Sequence, residues 1–321
     1  MPSSIERHWV EEEWNPIQST ATSAIAPPGE LKKPFEMRGP RRILVNPELD
    51  LFDESVPESV TDAIFATMAI ADHHSYLIAT RHPERMRDYL LELPERPLEI
   101  AASALLNMND PSLSSLDATR VLAKTAFETG TPDHIWPGVI IENQESAEDR
   151  VPLLMETPGC IRWLWMEPLL GPINIDRAMY GNDEDRRGLS CFGFTDGFGH
   201  EAFINWVVVG GGLGEQARPM HPDWVSSIKD QCEDANVSFT FSHWGEWAPR
   251  SACYHKLTTG MSASDMDPHS KKWPCVRLTY KGGDGWSLED HGAGDDVYMQ
   301  KVGPVLAGFM LDGQMEHRLP E

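Results

Sequence analysis

The 321-residue sequence predicts an α/β fold on about six parallel strands, from three observations. The first is a strand–helix–strand unit over residues 204–247. The run 206–209, Trp-Val-Val-Val, is too short and too β-branched for a helix and reads as a buried strand. It ends in Gly210, Gly211, Gly212 and Gly214. Pro222-Asp223-Trp224 then opens a helix with Trp224, Ile228 and Cys232 on one face, and residues 237–241 form the next strand. Such a crossover implies that the two strands run parallel. The second observation is that the same alternation recurs upstream. The third is that every apolar run stops at polar or glycine positions, as strands do where their loops converge on a ligand.

Residues 1–39 carry Pro27-Pro28-Gly29 and Lys32-Lys33-Pro34 without periodicity and read as an irregular N-terminal arm. Residues 40–248 hold the repeating units. The first strand, 43–45, ends at Asn46-Pro47. Ser55-Val56-Pro57-Glu58 has the form of a capping box and starts a helix with Val60, Ile64, Met68 and Ala71 inward. A second strand, 76–79, ends in Thr80-Arg81-His82, and Pro83 opens a helix with Met86, Leu90 and Leu93 inward. Residues 95–130 read as two further helices on the outside of the sheet. A third strand, 139–141, ends in Glu142-Asn143-Gln144 and leads into an acidic helix containing Arg150 and Pro152. A fourth, 161–165, ends in Met166-Glu167-Pro168. Residues 174–200 are rich in Gly and Asp and read as a long loop and candidate lid. After the last strand, residues 249–321 read as an irregular C-terminal extension packed on the domain, with one strand over 275–280 and a short helix over 302–311.

Hydrophobic residues at 40% and charged residues at 24% suit a globular chain with a full core. Fifty acidic against 27 basic residues give a net charge of −23, which disfavours a nucleic-acid partner, because neutralising phosphates needs clustered Lys and Arg. The five cysteines are scattered, without a Cys-x-x-Cys pair, so a reducing cytoplasm is expected rather than a disulfide framework. No basic segment followed by an apolar one opens the sequence, and no apolar run reaches the ~20 residues that span a bilayer, so no membrane partner is expected.

The strand ends bring together Asn46, Arg81, Glu142, Asn143, Glu167, Gly210, Gly211, Arg218, His243 and Trp244. Glu142, Glu167 and His243 have the chemistry of a general acid or base. Each carboxylate serves equally well as a salt-bridge partner for Arg81 or Arg218. The two guanidiniums suit an anionic group. Gly210 and Gly211 allow close backbone approach, and Trp244 offers a stacking face. Gly210-Gly211-Gly212-Leu213-Gly214 lacks both the dinucleotide fingerprint and the Lys-Ser/Thr of a P-loop. Cys253, His255, His269 and Cys275 have zinc-binding atoms without zinc-site spacing, so no metal is expected.

Several segments occur together in collinear order: Trp14-Asn15-Pro16, Arg41-Arg42-Ile43, Asp50-Leu51-Phe52, Pro83-Glu84-Arg85-Met86, Glu142-Asn143-Gln144, Glu167-Pro168-Leu169-Leu170-Gly171-Pro172, Ala217-Arg218-Pro219-Met220 and Trp244-Gly245-Glu246-Trp247. As a set they resemble a phage-associated, radical-SAM-like family of poorly defined function, the phage Gp type. The resemblance implies a partial (β/α) TIM-type barrel, S-adenosylmethionine as a ligand and a host cytoplasm as location. This chain departs from the family pattern at the cofactor positions. Thr20 stands where the first cluster cysteine belongs, and the Cys-x-x-Cys run that follows it is missing. Gly212 replaces a glutamate and Ser242 a lysine. A [4Fe–4S] cluster and radical chemistry are therefore not expected. The expectation is a cluster-less homologue binding a small anionic or nucleotide-like ligand at the strand ends. The alternatives are a phage interaction protein that occupies a host protein through its acidic surface, and a non-redox enzyme with Glu167 or Glu142 as base.

Overall fold

The computed structural model describes residues 9–19, 24–95, 130–181, 192–195, 201–249, 275–278 and 297–320. Seven parallel strands, numbered along the sheet, carry the fold: β1 (Glu12–Trp14), β2 (Arg42–Val45), β3 (Ser75–Thr80), β4 (Ile135–Ile140), β5 (Arg162–Met166), β6 (Glu201–Gly210) and β7 (Ser238–His243). Their spatial order is their chain order, and each neighbouring pair runs parallel. Helices α1 (Glu58–Ile70), α2 (Pro83–Glu92), α3 (Gln144–Glu156), α4 (Ile175–Tyr180) and α5 (Pro222–Asp234) lie in the crossovers. The sheet curls into a half-barrel, an α/β architecture in which every strand directs its carboxyl end to the same rim. Among the described residues, no helix is long and apolar enough to cross a membrane.

The period-two alternation of each strand separates two cores. Outward residues such as Leu164, Val207 and Val209 join the helices' apolar faces. Inward residues form a second cluster of Leu44, Leu77, Trp136, Ile140, Trp163, Trp165, Trp206 and Val208, with Trp9 reaching in from the N-terminal side. Trp9 stands 5.6–5.9 Å, centroid to centroid, from Trp163, Trp165 and Trp206. Buried indoles need acceptors. Trp163 donates to the carbonyls of Ile78 and Trp136, Trp206 to the Thr240 hydroxyl, and Trp9 to the Ser242 hydroxyl. Gly138 makes room for this stack, because a Cβ there would sit 2.5 Å from the Trp163 Nε1.

Four differences from the sequence reading have local causes. Glu12–Trp14, inside the stretch read as an irregular arm, is an additional strand at the sheet edge, paired with β2. It is short and acidic, so no apolar alternation announces it. The capping box at Ser55 does not form. Pro57 is the N-cap of α1 without a side-chain hydrogen bond, and the Ser55 hydroxyl donates to Asp53 Oδ1 at 2.6 Å instead. Part of the predicted 174–200 loop is regular, since it contains α4 and a strand, Gly193–Thr195, antiparallel to β6. Trp247–Pro249, at the boundary with the C-terminal extension, builds an antiparallel sheet with Val297–Lys301 and Cys275–Leu278 of that extension, and the terminal helix is confined to Pro304–Ala307. Residues 96–129, which carry the predicted helices, and the Cys253–His255–His269 group lie outside the described residues, as do 182–191 and 196–200 of the loop.

Beyond that sheet, a tight turn at Asp312-Gly313, both with positive φ, reverses the chain. The following residues run antiparallel along β7. Phe241 N–H donates to the Glu316 carbonyl at 2.9 Å, Arg318 N–H to the Phe239 carbonyl at 3.0 Å, and the Ser238 hydroxyl to the Leu319 carbonyl at 2.9 Å. The edge of β7 is thereby covered.

Candidate functional site

At the carboxyl rim a cavity of about 400 Å³ is lined by Arg81, Ile140, Trp165, Glu167, Gly211 and Arg218, together with Pro47, Leu170 and the 212–217 loop. The inward alternation of β5 continues from Trp163 and Trp165 to Glu167, so the strand's own pleat delivers this carboxylate to the rim. Glu167 is 9% exposed, and the Trp165 indole donates to its Oε2 at 3.2 Å. Its Oε1 stands 3.2 Å from His243 Nε2. The His243 ring is off the direction of a hydrogen bond, and neither of its nitrogens meets a partner among the described residues.

Arg81 is set by Asp50. The Arg81 N–H donates to Asp50 Oδ2 and the Thr80 hydroxyl to Oδ1, both at 2.7 Å. The Arg81 guanidinium then pairs with Glu142 Oε1 at 3.1 Å in a half-exposed bridge. Below Glu142, Arg150 donates to the Ile140 carbonyl at 2.6 Å. Burial holds the Arg150 guanidinium below the ordinary arginine value, and the neighbouring Glu142 offsets part of that effect. Arg218 comes from the loop after β6 and leaves its buried Nε without a partner among the described residues.

The structure therefore brings Arg81, Glu167, Gly211 and Arg218 to one cavity, with Glu142 and His243 immediately behind its charged lining. The other predicted positions have local tasks. Asn46 adopts positive φ (54°), donates to the Leu49 carbonyl and accepts from Ile17 N–H. Asn143 is the N-cap of α3, accepting from Ser146 N–H while the Ser146 hydroxyl accepts from Asn143 N–H. An Asn-x-x-Ser spacing ahead of a helix was the signal for that role. Trp244 is 3% exposed, with its indole on the Met310 carbonyl and its edge against Phe241. Gly210 and Gly211 keep negative φ and are small for packing reasons. A Cβ at Gly210 would stand 2.6 Å from Glu167 Oε2, and one at Gly211 would stand 2.0 Å from the Trp244 carbonyl. Asp50, which orients Arg81, was not singled out as a site residue.

The described cysteines do not fit an iron–sulfur cluster at this rim. Cys232 is buried in α5, Cys160 precedes β5 at the opposite end, and Cys275 belongs to the antiparallel sheet. No group of three metal-ligating side chains converges among the described residues. No curated protein and no solved structure matches the chain. Residues 3–320 match the family described as a protein of unknown function (DUF5131), and with nearly its whole length covered the chain belongs to that uncharacterised family.

Proposed function

We propose that the protein binds a small ligand with an anionic group at the carboxyl rim of the half-barrel. Arg81 and Arg218 face the anion, and Glu167 accepts from an amine or a base edge. The observation that carries this reading is the joint lining of one cavity by two guanidiniums and a buried carboxylate, against apolar walls from Ile140, Trp165 and Leu170. Its volume, about 400 Å³, suits a nucleotide-sized or smaller molecule. Buried polar atoms on Arg218 and His243 that meet no partner among the described residues support it further. Radical chemistry is not part of the reading, because residues 10–42 contain no cysteine to hold a cluster near β1. S-adenosylmethionine enters as a test ligand on the strength of the family resemblance.

The test is thermal stabilisation by S-adenosylmethionine, S-adenosylhomocysteine, adenosine 5′-monophosphate and inorganic phosphate, each titrated to saturation. Saturable stabilisation by at least one, lost in Arg218→Ala, is the expected result. Equal response of wild type and Arg218→Ala overturns the assignment of the cavity. A second reading, a phage-type protein that occupies a host protein, is favoured by Val305, Phe309, Met310 and Met315, which are 77%, 40%, 39% and 54% exposed within one short segment. Loss of a purified complex on Val305→Asp with Phe309→Asp separates it from the first.

A further inference from the structure

We propose that Glu167 and His243 form an acid–base pair, in which Glu167 exchanges a proton with the molecule in the cavity and His243 positions that carboxylate and relays the proton. The proposal rests on the ligand-pocket reading, and its test is made on the ligand-free protein so that the two stand or fall separately.

Three features converge on the pair. The register of β6 against β7 shifts between Phe241 and His243, so that His243 stands opposite Gly210. Such an irregularity re-aims a side chain. Here it directs the imidazole toward Glu167, with Nε2 at 3.2 Å from Oε1, while Ser242 accepts from Trp9. Gly210 supplies the space for the carboxylate, since a Cβ at that position would stand 2.6 Å from Oε2. His243 itself is 2% exposed and does not line the cavity, whereas Glu167 does. A ligand therefore meets the carboxylate and not the ring.

With neither imidazole nitrogen in a hydrogen bond among the described residues, the ring retains its capacity to take or give a proton. When Glu167 acts as base, the ligand's X–H bond breaks, an O–H bond forms on the carboxylate, and the electron pair stays on X. The anion so formed lies in the cavity that Arg81 and Arg218 line. The carboxyl proton then passes to His243 Nε2, leaving a carboxylate beside an imidazolium. The reverse sequence makes Glu167 the acid. Other charged groups near the pair are Arg81 and Arg218 in the cavity wall, Glu142 bound to Arg81, and Glu246, which accepts from Gly214 N–H.

The experiment follows the His243 ring nitrogens by NMR in histidine-labelled protein across pH, in wild type, Glu167→Gln and Gly210→Ala. Removing the adjacent carboxylate is expected to move the His243 Nε2 resonance in Glu167→Gln. Gly210→Ala, which displaces the carboxylate without deleting it, is expected to move it by part of that amount. Identical Nε2 resonances in all three proteins overturn the pair. Melting temperatures separate chemistry from scaffolding. A proton-transfer pair leaves His243→Gln, which keeps most of the ring's volume, melting within a few degrees of wild type, because the ring makes no hydrogen bond among the described residues. A fall of many degrees overturns the proposal in favour of a purely structural ion pair.

Discussion

Inside the half-barrel the indoles of Trp9, Trp163 and Trp206 each reach an oxygen of the fold. At the carboxyl rim, Asn15 Oδ1, Arg218 Nε and both nitrogens of His243 reach none among the described residues. Both regions are buried, and both lie on one curled sheet. Unsatisfied buried polar atoms are expensive, and although Arg42 Nε and Thr131 Oγ1 are such atoms elsewhere among the described residues, those of Arg218 and His243 stand in or beside the wall of one cavity. The interior should therefore respond to mutation in melting experiments, and the rim in ligand experiments.

The largest effect is expected for Trp206→Ala, which removes a fully buried indole from the stack and leaves the Thr240 hydroxyl without its donor. A loss of about 3–5 kcal/mol in denaturant unfolding is expected; a loss below about 1 kcal/mol would show that the interior is loosely packed and end the contrast. Gly211→Ala comes next. Its Cβ would meet the Trp244 backbone carbonyl, which cannot swing away, and a cost of about 1–3 kcal/mol is expected. Gly210→Ala meets only the end of the Glu167 side chain and should cost less than Gly211→Ala. Equal costs would mean that Glu167 is held as firmly as backbone.

A pH scan sharpens the comparison at a third place. His74 is 1% exposed, its Nδ1 accepting from Arg41 N–H and its Nε2 donating to the Pro34 carbonyl. Burial holds its pKa below the ordinary histidine value despite the Pro34 hydrogen bond. With the folded value depressed, the unfolded chain binds the proton more readily. Its stabilising contribution is thus present above about pH 6.5 and is lost as the pH falls from there through the lower folded value. Melting temperature should drop over that range in wild type and less in His74→Gln. The smallest stability effects belong to the rim. Arg81→Ala breaks only a half-exposed pair with Glu142, and about 0–1 kcal/mol is expected. A loss of several kcal/mol would place Arg81 with the interior rather than with the site.

Much of this arrangement was legible in the sequence, because parallel strands buried on both faces read as short apolar runs. All six runs from 43–45 to 237–241 became strands of the sheet. Glu12–Trp14 escaped because a three-residue acidic edge strand has no hydrophobic signature. The rim was legible in part. Arg81, Glu167, Gly211 and Arg218 follow from the rule that strand ends converge. Asn46, Asn143 and Trp244 stand at the same height, yet their side chains are occupied by a turn, a helix cap and a carbonyl. Side-chain destination depends on the backbone angle at each position, and a strand-end rule carries no information about that angle.

The cover over β7 also sets an order of assembly. Trp9 reaches Ser242 across 233 positions of chain, and the segment along β7 joins Ser238 to Leu319 across 81. Neighbouring strands β2 and β3, in contrast, can pair as soon as α1 has formed between them. Contacts that close long loops form late and slowly. During synthesis the early strands can therefore pair while β7 still presents a bare row of amides and carbonyls, until the residues after Gly313 arrive. The interval between the emergence of β7 and that of its cover is the period in which the nascent chain is most exposed to edge-to-edge aggregation.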